Sequence, residues 1–345
     1  MAVTGEHRAE TMAVEQDSRP GAFQAAWRWL GPDLSVLSVM LFALIAIVSV
    51  YGATITILRN TGIVAGAYLI GNTALALLLR RLWRPSGFRL SAECLRACRD
   101  WIPFTLLIVV YENLRSYTGL IRSDSIDAPL AMSDQWLWGV QPTVWVQQFA
   151  NPILTDILIV SYASLFPLPL ALLLGLYVSD RREGFRELAT AVILCILCGF
   201  ILYLIFPAGP PRFYLTGYEP AHLPSFTGLY NWTDRTLDYA NQMIVHSSFP
   251  SLHAALSVIA LRYAFRRDLW PVAWRWLGPL YVVLTGMLWI STIYLRHHWT
   301  LDLAAGLVLG LLSASVARVM AAPSARPSVQ AIRTNSSDDV PAPSQ

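Results

Sequence analysis

The sequence predicts an all-α, polytopic integral membrane protein with about eight transmembrane helices, and three observations carry that prediction. Of the 345 residues, 55% are hydrophobic and only 14% are charged, against about 25% charged in ordinary soluble domains. The apolar residues fall in long uncharged runs at 34–58, 60–79, 101–111, 157–179, 188–211, 239–261, 276–295 and 303–317. A helix crossing a bilayer needs about 20 such residues, so eight crossings use about 160 and leave room for two polar tails and an outer loop system. A soluble globular enzyme is excluded.

Taken in order, residues 1–33 mix acids, Arg, Gly and Pro with no apolar core, and read as a polar cytoplasmic tail instead of a cleaved signal peptide. The first two runs give two N-terminal transmembrane helices within 34–82. The third run is interrupted by Glu112 and Arg115 and extends to about residue 117. Between the third and fourth runs, Trp136, Trp138 and Trp145 stand beside Leu137, Val144 and Val146, a pattern for an amphipathic stretch lying in the interface. The other five runs follow within a unit spanning 100–320. Residues 321–345, rich in Pro, Ser and Asp, read as a disordered cytoplasmic tail.

All 25 basic residues are Arg and none is Lys. A lysine base or Schiff base is therefore excluded, and any cation at a site is a guanidinium, which suits phosphate. The net charge of +3 is small and scattered, so nucleic acid is not an expected partner. Cys195 and Cys198 lie inside an apolar run and read as small core residues, with no disulfide framework and no metal site. Placing the N-terminus inside puts 13 Arg on cytoplasmic loops and 6 on outer segments, so both termini are expected in the cytoplasm. The absence of Lys fits a GC-rich genome and hence a bacterial plasma membrane.

Five of the six His lie between residues 222 and 298. Ser248-Phe249-Pro250-Ser251-Leu252-His253 opens the sixth helix, with Pro and Ser where a helix start wants them. Arg296-His297-His298, followed by Asp302, opens the eighth. Four residues apart on a helix, His298 and Asp302 share one face, and the carboxylate can fix the imidazole tautomer. The eight-helix topology brings Arg212, His253, Arg296, His298 and Asp302 to the outer face, where ionisable groups at membrane depth are costly and usually functional.

Phe249-Pro250-Ser251-Leu252-His253 resembles the second signature of the type 2 phosphatidic acid phosphatase superfamily. Ser291 to Asp302, with His298 between, resembles its third in spacing, and Gly306 follows. The first signature, which begins with Lys, has no counterpart; Phe206 to Arg212 stands in its place. Thr292 occupies the usual third-signature Arg position, and Arg296 the usual Gly position. That pattern resembles the inositolphosphotransferase branch, the inositol phosphorylceramide synthases, as do Tyr111 to Arg115 and the Gly139 to Trp145 segment.

The resemblance implies a six-helix catalytic bundle and a double displacement on membrane lipid substrates. His298 is the nucleophile that becomes a phosphohistidine, Asp302 orients it, and His253 is the general acid and base. Arg296 and Arg212 bind phosphate oxygens, Ser251 belongs to the substrate-binding set, and no metal or cofactor is required.

Other accounts stay open. Arg212 is also placed to face lipid headgroups. Glu112 and Arg115 either hydrogen-bond a polyol such as inositol or neutralise each other on one helix face. On a helix, His297 points about 100 degrees from His298 and serves as an interface anchor or a substrate contact. The rival activities are hydrolysis of a lipid phosphate or isoprenoid pyrophosphate, and, from another class, a transporter or non-catalytic membrane protein. The absence of an internal repeat speaks against transport.

Overall fold

A computed structural model describes residues 22–51, 59–83, 89–114, 122, 124–215, 223–230 and 247–321. It is built from helices α1 (Ala22–Val50), α2 (Arg59–Trp83), α3 (Leu90–Leu114), α4 (Asp127–Trp138), α5 (Pro142–Trp145), α6 (Pro152–Ala163), α7 (Pro167–Val178), α8 (Arg182–Ile205), α9 (Pro211–Tyr214), α10 (Leu252–Ala264), α11 (Leu277–Tyr294) and α12 (Thr300–Ala321). The extended pairing among the described residues is an isolated bridge, Ala208 with Ser247.

Among the described residues, four helical segments are long and apolar enough to cross a membrane: Leu30–Ile47, Arg182–Ile205, Val272–Tyr294 and Thr300–Ala321. They mark the chain as an integral membrane protein. The pair α6 and α7, bent by 50°, makes a fifth if it is one span. The expected eight crossings are therefore corrected to four among the described residues, or five with that pair.

The reasons are local. An uncharged run is not the same as a long apolar helix. Run 157–179 breaks at the α6–α7 elbow, where Pro167 can only begin a helix. Run 239–261 yields a helix of 13 residues, because the Ser251 cap starts α10 at Leu252; residues 239–246 of the run lie outside the described ones. The α3 helix carries Glu93, Arg96, Arg99 and Asp100 in its first half, and α2 is diluted by Gly66, Gly71, Asn72 and Thr73. At its start α1 begins at Ala22, so residues 22–33, expected within the polar tail, are helical except at Gly31 (φ 67°), where α1 is kinked just before Pro32.

The α8 helix is the axis of the bundle. Of its apolar span 72% is buried, against 28% for those of α1 and α12, which pack against it together with α10. The outward faces of α1 and α12 leave Phe42, Val50, Leu312 and Val319 exposed, as lipid-facing surfaces should be. Two ends of the bundle differ in chemistry. At one, the starts of α3 and α8 gather an ionic network: Arg99 bridges Asp33 (2.7 Å) and Asp100 (2.9 Å), Arg182 reaches Asp100 (2.6 Å), and Arg80 reaches Glu93 (2.8 Å). At the other, the end of α11 and the starts of α10 and α12 gather histidines.

Candidate active site

The histidine end is assembled by two helix starts and one helix stop. Ser251 caps α10, its hydroxyl accepting from the Ala254 amide (3.3 Å). Its own amide donates to the Asp302 carbonyl (3.0 Å), tying α10 to α12. The two helices approach so closely at Gly306 that a Cβ there would stand 2.2 Å from the Ser251 carbonyl oxygen, and at Gly310 2.4 Å from that of Ala255. This is small-residue packing four apart, which lets backbones touch.

The α12 helix starts at Thr300, not at Arg296 as the sequence suggests, because its first amides are capped. The Asp302 carboxylate accepts from the Trp299 amide (3.0 Å), the return arm of a capping box. The Thr300 amide and hydroxyl both donate to Asp134. His297 and His298 therefore lie on non-helical backbone, and the helical argument that turns them apart does not apply.

Upstream, α11 ends in a Schellman turn. The His297 amide donates to the Thr292 carbonyl (2.9 Å) and the Arg296 amide to that of Ile293 (3.0 Å), with Arg296 in the left-handed region at φ 57°. Glycine suits that position. An arginine there costs about 1–2 kcal/mol of backbone strain, and strain of this kind collects at functional sites.

The centre is a chain of polar contacts. His298 Nδ1 lies 3.3 Å from Asp302 Oδ2, and its Nε2 lies 3.2 Å from His253 Nδ1. The Ser248 hydroxyl donates to the same carboxylate oxygen at 2.6 Å and lies 3.2 Å from His298 Nδ1. Asp302, Ser248 and Ser251 are buried, as is His298. A carboxylate on Nδ1 holds the proton there and leaves Nε2 with its lone pair.

Tyr162, from α6, is stacked between the rings of His253 (4.3 Å, 24°) and His297 (4.4 Å, 21°). His297, outside the spanning segments, has its imidazole pushed well below the ordinary value of 6.5 by burial, with Arg212, His298 and His253 adding to the effect.

Two buried carboxylates that the sequence does not single out splint this arrangement. Asp127 and Asp134 lie seven apart, two turns on one face of α4. Asp127 accepts from the Gly209 amide (2.7 Å), and Asp134 holds the start of α12. The Trp299 indole donates to the Gly209 carbonyl (3.1 Å), closing the frame. Burial pushes the Asp134 carboxyl up, against the lowering by the Thr300 hydrogen bonds. The spacing of seven was the visible signal. It reads as an ordinary solvated face until α4 is seen to lie against the loop and α12.

Of the sequence-derived residues, the structure brings together His253, His298, Asp302 and Ser251, the last as a helix cap. The Arg212 amide donates to the Arg296 carbonyl (3.3 Å), so the two arginines are neighbours; the Arg212 guanidinium sits 4.7 Å from the Phe213 ring, and Arg296 is buried. Glu112 is in the last turn of α3 with its side chain outside the described residues, and Arg115 lies outside them altogether. Among the described residues no group of His, Cys, Asp and Glu is arranged to hold a metal ion.

A cavity of about 400 Å³ opens from this cluster, lined at one end by Ser248, His253, His297 and His298 and elsewhere mainly by apolar side chains.

The PAP2 superfamily model matches residues 129–316, more than half of the chain, and takes in every member of the polar chain just described. The chain belongs to the PAP2 superfamily.

Within the superfamily, this PAP2 chain is similar to phosphoinositol dihydroceramide synthase of Bacteroides thetaiotaomicron, at 31% identity over 160 residues, covering 44% of the chain and 51% of that protein. It is also similar to inositol phosphorylceramide synthase of Candida albicans, at 29% identity over 160 residues, covering 42% of the chain and 31% of that protein. A third similarity is to the inositol phosphorylceramide synthase catalytic subunit of Saccharomyces cerevisiae, at 31% identity over 126 residues, covering 33% of the chain and 29% of that protein. The matched part of the PAP2 chain thus spans about half the length of the bacterial relative and under a third of the two fungal ones. No solved structure matches the chain.

Proposed function

We propose that this protein is a membrane phosphotransferase that moves a phosphorylated head group, phosphoinositol, from one lipid to the hydroxyl of another through a phosphohistidine on His298. The observation that carries the reading is the Asp302–His298–His253 line, in which a carboxylate-held imidazole turns its free nitrogen toward a second imidazole. The PAP2 membership and the printed activities of the relatives support it.

In the first step His298 Nε2 attacks phosphorus, the bond from phosphorus to the lipid alkoxide breaks, and His253 gives that alkoxide its proton. In the second step His253 takes the proton from the acceptor hydroxyl, the new oxygen–phosphorus bond forms, and the phosphorus–nitrogen bond breaks to release neutral His298. Because the two ring nitrogens now touch at 3.2 Å, the phosphoryl group enters by displacing that contact. A near-attack distance of about 3–3.5 Å from Nε2 to phosphorus then requires the rings to part. Asp302 and Ser248 keep His298 in one tautomer through both steps. Arg296, and beside it Arg212, neutralise the non-bridging oxygens, the main demand of phosphoryl transfer. Glu112 and Arg115 are assigned to the polyol.

The arginines at the other end of the bundle, Arg182, Arg262, Arg266 and Arg318, support a cytoplasmic placement of that end, by the positive-inside rule. The histidines then face the outer side of a bacterial plasma membrane.

The test uses the purified full chain in vesicles with inositol-labelled phosphatidylinositol and a long-chain amino diol. Label appearing in a new lipid-soluble product is the expected result. Label released only as water-soluble phosphoinositol makes water the acceptor and overturns transfer in favour of hydrolysis.

A further inference from the structure

The cavity running from the histidines has two kinds of wall. Its mouth is polar, with Ser247, Ser248, His253, His297 and His298. Its shaft is almost wholly hydrocarbon and aromatic. One side of the shaft is a single face of α8, Val192, Ile196, Phe200 and Tyr203, spaced four, four and three apart. From Tyr203 to Val192 is a depth of about 16 Å along the helix.

The mouth is fixed at the Tyr203 end, because Leu252, the residue before His253, packs into the gap at Gly199. The end away from the histidines is lined by Val192 of α8, Leu173 of α7 and Phe104 of α3, all buried. The direction along α3 agrees, since Tyr111 meets Phe200 (5.8 Å between rings) while Arg99 is tied into the ionic network at the other end.

A second part of the lining comes from Tyr68 of α2 and Phe104, Leu107, Ile108 and Tyr111 of α3. All five precede residue 129 and so lie outside the PAP2 match.

The volume is in the range of small-molecule sites, which run from about 300 to 1,000 Å³. A polar occupant fails on energetics: past the mouth it would meet few polar partners, and an unpaired buried polar group costs several kcal/mol. An apolar site of this kind also holds no stable water. A flexible hydrocarbon chain fits the length and the lining, and it leaves its polar end among the histidines.

We infer that this cavity holds one hydrocarbon chain of the lipid substrate, and that the α2–α3 wall together with the Val192 floor sets the length of chain accepted. The inference deepens the phosphotransfer reading and rests on it for the placement of the polar end. A chain that enters from the bilayer passes from one apolar medium to another, so its length is selected by packing: each carbon that fits gains van der Waals contact with the lining and each one too many is rejected. Chain selection then draws on two helices, α2 and α3, that the superfamily match does not include, together with the α8 floor that it does.

Two measurements on the full chain in detergent micelles test this. The first is photolabelling with a long-chain amino diol that carries a diazirine at the end of its chain, followed by peptide mapping. Label is expected on α8 near Val192 and on α3 near Phe104. Label confined to the lipid-facing residues of α1 and α12 overturns the inference. The second compares acceptors of graded chain length in Val192→Trp and Ile196→Ala. The preference for long over short chains is expected to fall at least tenfold in the first variant and to rise in the second. Profiles unchanged in both folded variants overturn it.

The two readings fail separately. Label at the floor without any lipid-to-lipid transfer keeps the chain site and removes the transfer reading. Transfer with a flat length profile and no label at the floor does the reverse.

Discussion

The two ends of the bundle both bury charge, and they do so by opposite means. At the arginine end, Asp33 and Asp100 are fully buried, and their partners are guanidinium groups, Arg99 for both and Arg182 for Asp100. Guanidinium keeps its charge at any physiological pH, so this network is closed and static. At the histidine end, the equally buried Asp302 meets an imidazole, a hydroxyl and a backbone amide. Of these the imidazole can gain, lose or pass a proton and the hydroxyl can relay one, while the amide only holds the carboxylate in place. The difference teaches that burial of a carboxylate is not itself the mark of the site; what separates a clamp from a reactive centre is whether the partner can change its protonation.

The largest expected effect tests the histidine side of this contrast. His298→Ala is expected to reduce phosphoinositol transfer by about a thousandfold or more, with the thermal unfolding midpoint almost unmoved. Near-normal transfer in that variant would make the two ends equivalent and break the comparison.

The arginine side should respond in the opposite currency. Asp100→Ala leaves Arg99 and Arg182 without a shared carboxylate, and breaking a buried pair costs about 3–5 kcal/mol. A large drop in the unfolding midpoint is expected, with turnover per folded molecule preserved. Loss of turnover in fully folded protein would join the arginine network to the chemistry.

Arg296 sharpens the comparison, because it is a guanidinium placed at the histidine end on strained backbone. Arg296→Gly relieves a left-handed conformation worth about 1–2 kcal/mol, so the unfolding midpoint should rise while transfer falls at least tenfold. A variant that is both more stable and fully active would take Arg296 out of phosphate binding.

The smallest effect is on pH. The His297 imidazole is held well below 6.5 by burial and by Arg212. As pH falls through 6.5 the unfolded chain takes up a proton that the folded chain refuses. The stabilisation is therefore present above pH 6.5 and is lost toward pH 5. Unfolding midpoints between pH 5 and 7 should show this slope, and His297→Gln should flatten it. An identical slope in the variant would assign it elsewhere.

Part of this was legible in residue order. The apolar runs marked helices, and the residues around Ser251, His253, His298 and Asp302 carried a pattern specific enough to name a family. The number of crossings was not legible, because a run without charges says nothing of where a proline elbow or a serine cap interrupts it: α6, α7 and α10 are short for those reasons. Residue order predicts a helical relation of His297 to His298, and the structure has none, since the cap that delays α12 to Thr300 depends on Asp134, 166 residues away. Ser248 and Tyr162 carry no local signal of their roles, and the spacing of seven between Asp127 and Asp134 marks a shared face without saying what it meets. A single carboxylate, hydroxyl or ring acquires one only from the backbone amide or imidazole set against it.

The sequence by itself determined that this protein lives in a bilayer, that its cations are all guanidinium, and that two imidazoles and an acid stand at helix starts. Composition and short-range spacing are enough for such statements, because they concern transfer between solvents and neighbours along a single chain. Only the tertiary structure decided which helices are long enough to span, which carboxylates clamp and which one serves an imidazole, and that an apolar shaft ends at the histidines. Those outcomes are set by close approach between segments far apart in the chain, as where Gly306 lets α12 lie on the start of α10, and close packing is a property of surfaces that meet.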